Sequence, residues 1–125
     1  MDIGDTSDSA GRRFAAALAA KDFGLIAGLL DPEVDFRGMT PGRSWEASGP
    51  GEVDAVLQQW FEPSDQIDEL VEIEEGGVAD RGRVGYRFRG HNDDGGFVVE
   101  QQAYFTERDG RIDWMRVLCS GFRPL

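Results

Sequence analysis

The chain has 125 residues, a formal net charge of -11 and 40% hydrophobic residues, which is typical of one globular domain with a single core. The negative charge argues against nucleic acid and anionic membranes as partners, because both are bound through clustered lysines and arginines. With one cysteine and one histidine, the sequence cannot form an internal disulfide or the usual Cys/His zinc site, so we expect no metal.

Two helices are predicted at the N-terminal end. The alanine-rich segment 7–20 places Phe14 and Leu18 on one helical face. Asp22 is a suitable cap for a second, short amphipathic helix. That helix should stop before Pro32, because the residue preceding a proline avoids the helical region.

Two short strands and a third helix follow. Residues 34–37 and 43–47 alternate between apolar and polar side chains, which predicts strands. A Gly-Pro-Gly break at 49–51 comes next, and a third helix is predicted after it from apolar side chains at three-and-four spacing. These side chains are Val53, Val56, Leu57, Trp60 and Phe61.

The rest of the chain has the pattern of an antiparallel meander. Strands are predicted at 67–74, 83–91, 97–106 and 112–122, separated by turn-rich segments. The pair Asp109-Gly110 predicts a two-residue hairpin, because both residues tolerate positive φ. The fold class is therefore α+β, with three N-terminal helices packed on a curved, mainly antiparallel sheet of about six strands.

Hairpin geometry assigns side chains to the two faces of the sheet. A tight turn at Asp109-Gly110 pairs Arg108 with Arg111 and fixes the pairs behind it. The predicted inner face carries Val84, Tyr86, Phe88, Val98, Glu100, Gln102, Tyr104, Met115, Val117 and Cys119. The predicted outer face carries Arg87, Arg89, Val99, Gln101, Ala103, Phe105, Trp114, Arg116 and Leu118. Since both faces carry large apolar groups, we expect a homodimer through the outer face. A one-residue slip or a β-bulge would exchange the faces.

The order of elements resembles the nuclear transport factor 2-like superfamily and its small SnoaL-like members. The segments that carry the resemblance are Phe14–Leu18, Lys21–Phe23, Leu30–Phe36 and Tyr104–Ile112. The resemblance covers nearly the whole chain and implies one cone-shaped domain over residues 1–125 that encloses a pocket. It also implies a small apolar metabolite and cofactor-free chemistry such as isomerisation, cyclisation, dehydration or epoxide opening.

The sequence departs from two enzymatic patterns of that superfamily. Related ketosteroid isomerases use an aspartate just after the first strand, whereas Phe36–Met39 contains no carboxylate. Related dehydratases use two pocket histidines, and His91 is the single histidine of this chain. The resemblance therefore does not select one activity, because one fold serves many functions.

Glu100 is the candidate general base. On the predicted inner face it lies among Phe88, Val98 and Cys119, where desolvation would raise the pKa of its carboxyl group. The alternative is a structural role, in which Glu100 pairs with a nearby arginine or lies at the solvated rim.

The remaining candidates would line a pocket. Tyr86, Gln102 and Tyr104 could hydrogen-bond a ligand, although buried tyrosines also satisfy the backbone. Trp45 and Trp60 could close the open end of the cone, although Trp60 also has the spacing of an ordinary core residue. Phe88, Met115, Val117 and Cys119 would form the apolar wall.

Two further residues have competing interpretations. His91 is an exposed loop residue beside Asp93 and Asp94 or an acid-base group. Arg37 is a solvated surface arginine or a contact for an anionic ligand.

The leading functional hypothesis is a protein with a pocket for a small apolar metabolite, with or without turnover. The alternative is a non-catalytic dimerisation or protein-interaction module with a cavity filled by side chains. No apolar run approaches the ~20 residues that span a bilayer, and residues 1–5 lack the layout of a signal peptide. We expect a cytoplasmic protein, and twelve arginines against one lysine suggest a bacterial source.

Overall fold

The computed structural model describes residues 9–125. The predicted helix start at residue 7 and the layout of residues 1–5 lie outside this range. The described residues form three helices, which are α1 (Ala10–Ala19), α2 (Phe23–Leu29) and α3 (Pro50–Trp60). The strands are β1 (Leu30–Thr40), β2 (Arg43–Ser48), β3 (Gln66–Val78), β4 (Arg81–Asn92), β5 (Gly95–Arg108), β6 (Arg111–Cys119) and β7 (Arg123–Pro124).

The helix boundaries follow from local side-chain chemistry. The Ser9 hydroxyl accepts a hydrogen bond from the backbone N–H of Arg12, and Asp22 accepts one from Leu25, so each side chain satisfies an otherwise unpaired donor. Pro50 occupies the first turn of α3, where its missing N–H costs nothing. No described helix has the length and apolar character needed to cross a membrane.

The sheet is mixed, curved and open. Its strand order is β2-β1-β6-β5-β4-β3, with β7 paired to β5. Neighbouring strands are antiparallel except β1 and β6, which are parallel. Strands β2 and β3 form the edges, so the sheet does not close into a barrel. The α+β class and the mainly antiparallel sheet of the sequence analysis are confirmed.

The three helices cover the inner face of this sheet. Phe14 and Leu18 of α1 are fully buried, as their spacing predicted. The ring of Phe14 lies 6.4 Å from that of Tyr86, and the ring of Phe61, just after α3, lies 6.1 Å from that of Phe88. The core therefore lies between the helices and strands β4, β5 and β6.

The hairpin at Asp109-Gly110 is confirmed, but the register behind it is not the predicted one. Both turn residues have positive φ, and Arg108 pairs with Arg111. Asp113 then forms a β-bulge, because Glu107 pairs with Ile112 while Thr106 pairs with Trp114. The bulge shifts the pairing of the two strands by one residue.

This shift reverses the predicted orientation of β5. The inner face of β5 carries Phe97, Val99, Gln101, Ala103 and Phe105, all of them buried. The predicted inward positions Val98, Glu100, Gln102 and Tyr104 are wrong, and all four side chains lie on the outer face. On β4 and β6 the prediction is right, since Val84, Tyr86, Phe88, Met115, Val117 and Cys119 are buried.

Candidate functional site

Four polar or polarisable side chains lie in the apolar interior, and we call them the interior polar residues: Trp60, Tyr86, Gln101 and Cys119. Three of them form a row across the sheet, because Gln101 of β5 pairs with Tyr86 of β4 on one side and with Cys119 of β6 on the other. The Tyr86 hydroxyl donates a hydrogen bond of 2.5 Å to Oε1 of Gln101. The sheet register therefore places a polar pair within the core.

Two N–H groups of the interior polar residues have no partner. Nε2 of Gln101 and Nε1 of Trp60 are buried and make no hydrogen bond with any described residue. The amide of Gln101 could be turned by 180°, but one of its two ends would still face the apolar interior alone. An unsatisfied buried polar group costs about 1–3 kcal/mol. The interior of the described chain thus contains two hydrogen-bonding groups without a partner among its residues.

Trp60 is held at the end of α3 by aromatic neighbours and by a glycine. Its ring lies 5.9 Å from Phe36 and 6.0 Å, edge to face, from Trp45. Gly38 on β1 lies directly below it, and a Cβ atom at that position would clash with the Trp60 ring. Unlike the indole N–H of Trp60, that of Trp45 has a partner, because it donates a hydrogen bond of 2.9 Å to Oγ1 of Thr40. Because Gly38 has no side chain, the ring of Trp60 can pack directly against the backbone of β1.

Tyr86 remains protonated in this environment. Desolvation by burial, with a smaller contribution from Cys119, raises the pKa of the Tyr86 hydroxyl well above its usual value of 10.0. Its ring stacks on Phe88 at a centroid distance of 5.2 Å. The hydroxyl is consequently a permanent hydrogen-bond donor at neutral pH.

The described interior contains no unengaged carboxylate. Asp65 is the buried acidic residue among residues 9–125, and it accepts hydrogen bonds from the backbone of Glu62 and from Asn92. Within the same range, no group of three His, Cys, Asp or Glu side chains could hold a metal ion. The interior polar residues offer hydrogen-bond donors, a thiol and no general base.

A separate groove lies across strands β2, β1, β6 and β5, with a volume of about 500 Å³. We call it the outer groove, because it opens beside the exposed side chains Met39 and Leu118 of the outer sheet face. Its lining consists of Arg37, Gly38, Met39, Ser44, Trp45, Glu46, Tyr104, Arg116, Val117 and Leu118. This volume is within the range of small-molecule sites.

The SnoaL-like domain family matches residues 11–115 of the chain. The protein belongs to this family. The match covers α1 to most of β6, which contains three of the four interior polar residues and all the helices. No curated protein matches the sequence.

Solved structures share the fold at low sequence identity. A Bacillus subtilis protein provisionally called an isomerase is 17% identical, with a TM-score of 0.75 over 96% of this chain and 90% of that one. An LEH-like epoxide hydrolase of M. tuberculosis is 16% identical, with a TM-score of 0.63 over 89% and 80%. A Catenulispora acidiphila protein with a ketosteroid isomerase-like fold, in complex with trimethylamine, is 14% identical, with a TM-score of 0.65 over 86% and 82%.

In this SnoaL-like domain, Glu100 does not have the environment that the sequence predicted. Its side chain lies on the outer face, is 42% exposed and forms an ion pair of 3.0 Å with Arg87, which also contacts Glu72 at 3.3 Å. The hydrogen bond to Glu100 raises the pKa of the Arg87 guanidinium. The predicted desolvation of Glu100 is wrong because the bulge turns it outward, and the alternative of a pair with arginine is confirmed.

Gln102 and Tyr104 also lie on the outer face instead of in the predicted pocket. Oε1 of Gln102 accepts a hydrogen bond from Arg83, and Tyr104 lines the outer groove. The sequence analysis missed Gln101, although a signal for it exists. Gln101 is in phase with the apolar side chains of β5, which are Phe97, Val99, Ala103 and Phe105.

His91 has the environment of an exposed residue. Its Nδ1 lies 2.8 Å from Oδ2 of Asp68 on β3, and its side chain is 56% exposed. The predicted exposure is confirmed, and the acidic neighbour comes from the adjacent strand.

Proposed function

We propose that this SnoaL-like domain binds a small, largely apolar molecule between its helices and the inner face of its sheet. The main support for this proposal is that Nε1 of Trp60 and Nε2 of Gln101 are buried without a hydrogen-bond partner among the described residues. An indole N–H can only donate, so the ligand needs at least one acceptor oxygen, such as that of a carbonyl, ether or epoxide.

The unpaired groups of Trp60 and Gln101 lower the stability of the core. Two unsatisfied groups together cost about 2–6 kcal/mol, a large part of the stability of a small domain. Apolar replacements of similar size would remove that cost. A ligand that accepts from these donors recovers it on binding, which favours a binding role for Trp60 and Gln101.

We propose binding as the function, with turnover an outcome to be measured. Structural neighbours are named as an isomerase and an epoxide hydrolase, and this supports a molecule of similar type for the present chain. The interior of the described chain supplies Tyr86 as a protonated donor, while its buried carboxylate, Asp65, is engaged by Glu62 and Asn92. The prediction of Glu100 as catalytic base has no support from its outward, ion-paired position.

A thermal-shift screen tests the proposal, because a ligand that binds only the folded state raises the melting temperature. The panels are neutral terpenoids, steroids and polyketide-like ketones at several concentrations. The matched variant is the double substitution Tyr86→Phe and Gln101→Leu, which removes the polar pair and nearly conserves its volume. We expect a dose-dependent rise for the natural sequence and a much smaller rise for the double variant.

Equal shifts in the two proteins would show that any ligand binds away from the interior. No shift across all panels would favour the alternative function, a dimerisation or protein-interaction module whose interior is filled by side chains. The close packing of Tyr86 against Phe14 and Phe88 supports this alternative function.

We also propose that two copies of the chain associate through the outer sheet face in the cytoplasm. The supporting observation is apolar exposure on the sheet, where Met39, Val71 and Leu118 leave 39–56% of their surface accessible. Analytical ultracentrifugation at micromolar concentration measures the assembly state. A monomer at all concentrations would contradict this proposal and would leave the binding proposal intact.

A further inference from the structure

Arginines outnumber acidic residues in the lining of the outer groove. The chain carries a net charge of -11, yet two arginines and one glutamate line this groove. Arg37 of β1 and Arg116 of β6 are Cα partners on adjacent strands. Like charges at paired positions on a sheet repel, and an anion between the two guanidinium groups would relieve that repulsion.

The two guanidinium groups have different partners. Nη1 of Arg116 donates to Oδ1 of Asp35 at 3.2 Å and to the carbonyl oxygens of Asp35 and Met115. Arg37 takes part in none of the ion pairs among residues 9–125. Even Glu46, its Cα partner on β2, forms no ion pair with it. Arg37 is therefore an exposed cation that forms no ion pair among residues 9–125.

Apolar and aromatic surfaces complete the groove. Met39 and Leu118 are more than half exposed, and Trp45 and Tyr104 also line the groove, with the guanidinium of Arg43 stacked over the Trp45 ring at 3.5 Å. A groove of about 500 Å³ with a few polar groups on apolar walls has the usual composition of a small-molecule site.

We propose that the outer groove binds an organic anion, with a carboxylate held by Arg37 and Arg116 and an apolar or aromatic body against Trp45, Tyr104 and Leu118. This site is separate from the interior polar residues. Arginine favours such a ligand, because its planar guanidinium matches a carboxylate with two parallel hydrogen bonds.

The same charges disfavour a second copy of the chain as the occupant. A symmetric contact centred on the groove would bring four guanidinium groups of two acidic chains together. Met39 and Leu118, whose exposure supports the proposed dimer, also line the groove, so the anion and a second copy would compete for this surface and the experiment below distinguishes them.

Isothermal titration with 2-naphthoate and its neutral analogue 2-naphthylmethanol, at low salt, tests the proposal. We expect 2-naphthoate to bind at least about tenfold more tightly than the alcohol, since hydrogen bonds to a charged group are stronger than those between neutral groups. Arg37→Gln should weaken 2-naphthoate binding by about tenfold or more. Arg89→Gln is the matched control, because Arg89 is an exposed arginine of β4 outside the groove; it should change the affinity by less than about twofold.

Two further comparisons separate the anion site from the other proposals. The double variant Tyr86→Phe and Gln101→Leu should bind 2-naphthoate with unchanged affinity, since the interior is not involved. Equal affinity for acid and alcohol, or equal losses in Arg37→Gln and Arg89→Gln, would overturn the proposal. Failure of 2-naphthoate to bind would also overturn it. If Leu118→Glu then converted a dimer to a monomer, the groove would belong to a second copy.

Discussion

Removal of the buried polar pair should not destabilise this domain, and three variants of Tyr86 and Gln101 test that prediction. In Tyr86→Phe, Oε1 of Gln101 loses the hydrogen bond from Tyr86 and both ends of the amide are then unpaired, so the free energy of unfolding should fall by about 1–3 kcal/mol. In Gln101→Leu, the Tyr86 hydroxyl loses its acceptor while the unpaired Nε2 disappears. These two effects are of similar size, so the net change should be close to zero.

The free energy of unfolding of the double variant, Tyr86→Phe with Gln101→Leu, decides between the two interpretations. It removes a hydrogen bond worth about 0.5–1.5 kcal/mol and an unsatisfied group that costs about 1–3 kcal/mol. The expected result is a protein that is as stable as the natural one or more stable by up to about 2 kcal/mol. For a chain of this size, 1 kcal/mol corresponds to a shift in Tm of about 3–5 °C.

Urea denaturation of the four proteins, followed by circular dichroism, measures these differences as a double-mutant cycle. The m-values should agree, which shows that the variants change stability and not the unfolded state. If the double variant were destabilised by more than about 2 kcal/mol, the pair would be an ordinary part of the core. The reasoning that ligand binding maintains Tyr86 and Gln101 would then be refuted.

Further predictions concern pH, charge and packing. Burial raises the pKa of Tyr86 above 10.0 in the folded state, so the free energy of unfolding should decline as pH rises above about 10, by at most about 1.4 kcal/mol per pH unit; Tyr86→Phe should reduce this decline, and equal curves for both proteins would contradict the assignment. Glu100→Gln should leave ligand-induced Tm shifts unchanged, because Glu100 lies outside the interior; their loss would restore Glu100 as a site residue. Gly38→Ala should lower stability by about 1–3 kcal/mol in urea titrations, because the added methyl group meets the ring of Trp60; an unchanged midpoint would show that Trp60 moves freely.

The sequence predicted the architecture because the local patterns agree with one another. The cap at Asp22, the three-and-four spacing that ends at Trp60 and the Asp109-Gly110 turn each have a local physical cause. The predicted strands were shorter than the observed ones. For example, β1 starts at Leu30, directly after α2, and runs through Pro32. A proline tolerates that position because no neighbouring strand requires its missing N–H there.

The candidate site was predicted less well, because it depends on the register of two hairpins. The bulge at Asp113 is a tertiary feature, supported by a hydrogen bond of 2.6 Å from Thr106 to its carboxylate. One extra residue there turned Glu100 outward and Gln101 inward. The alternation of apolar side chains along β5 would have corrected the register, since Val99 and Ala103 are in phase with Gln101. A strand register deduced from a turn should therefore be compared with the alternation of apolar side chains along each strand.

The most direct test of the interior binding site is the indole N–H signal of Trp60 in a proton–nitrogen NMR spectrum. The chain has three tryptophans, and the variant Trp60→Phe assigns the signal. Titration with a ligand from the thermal-shift screen should move the Trp60 indole signal and a side-chain amide signal of Gln101, while that of Trp114 on the outer face stays in place. If a ligand bound with both interior signals unmoved, the interior would not be the binding site.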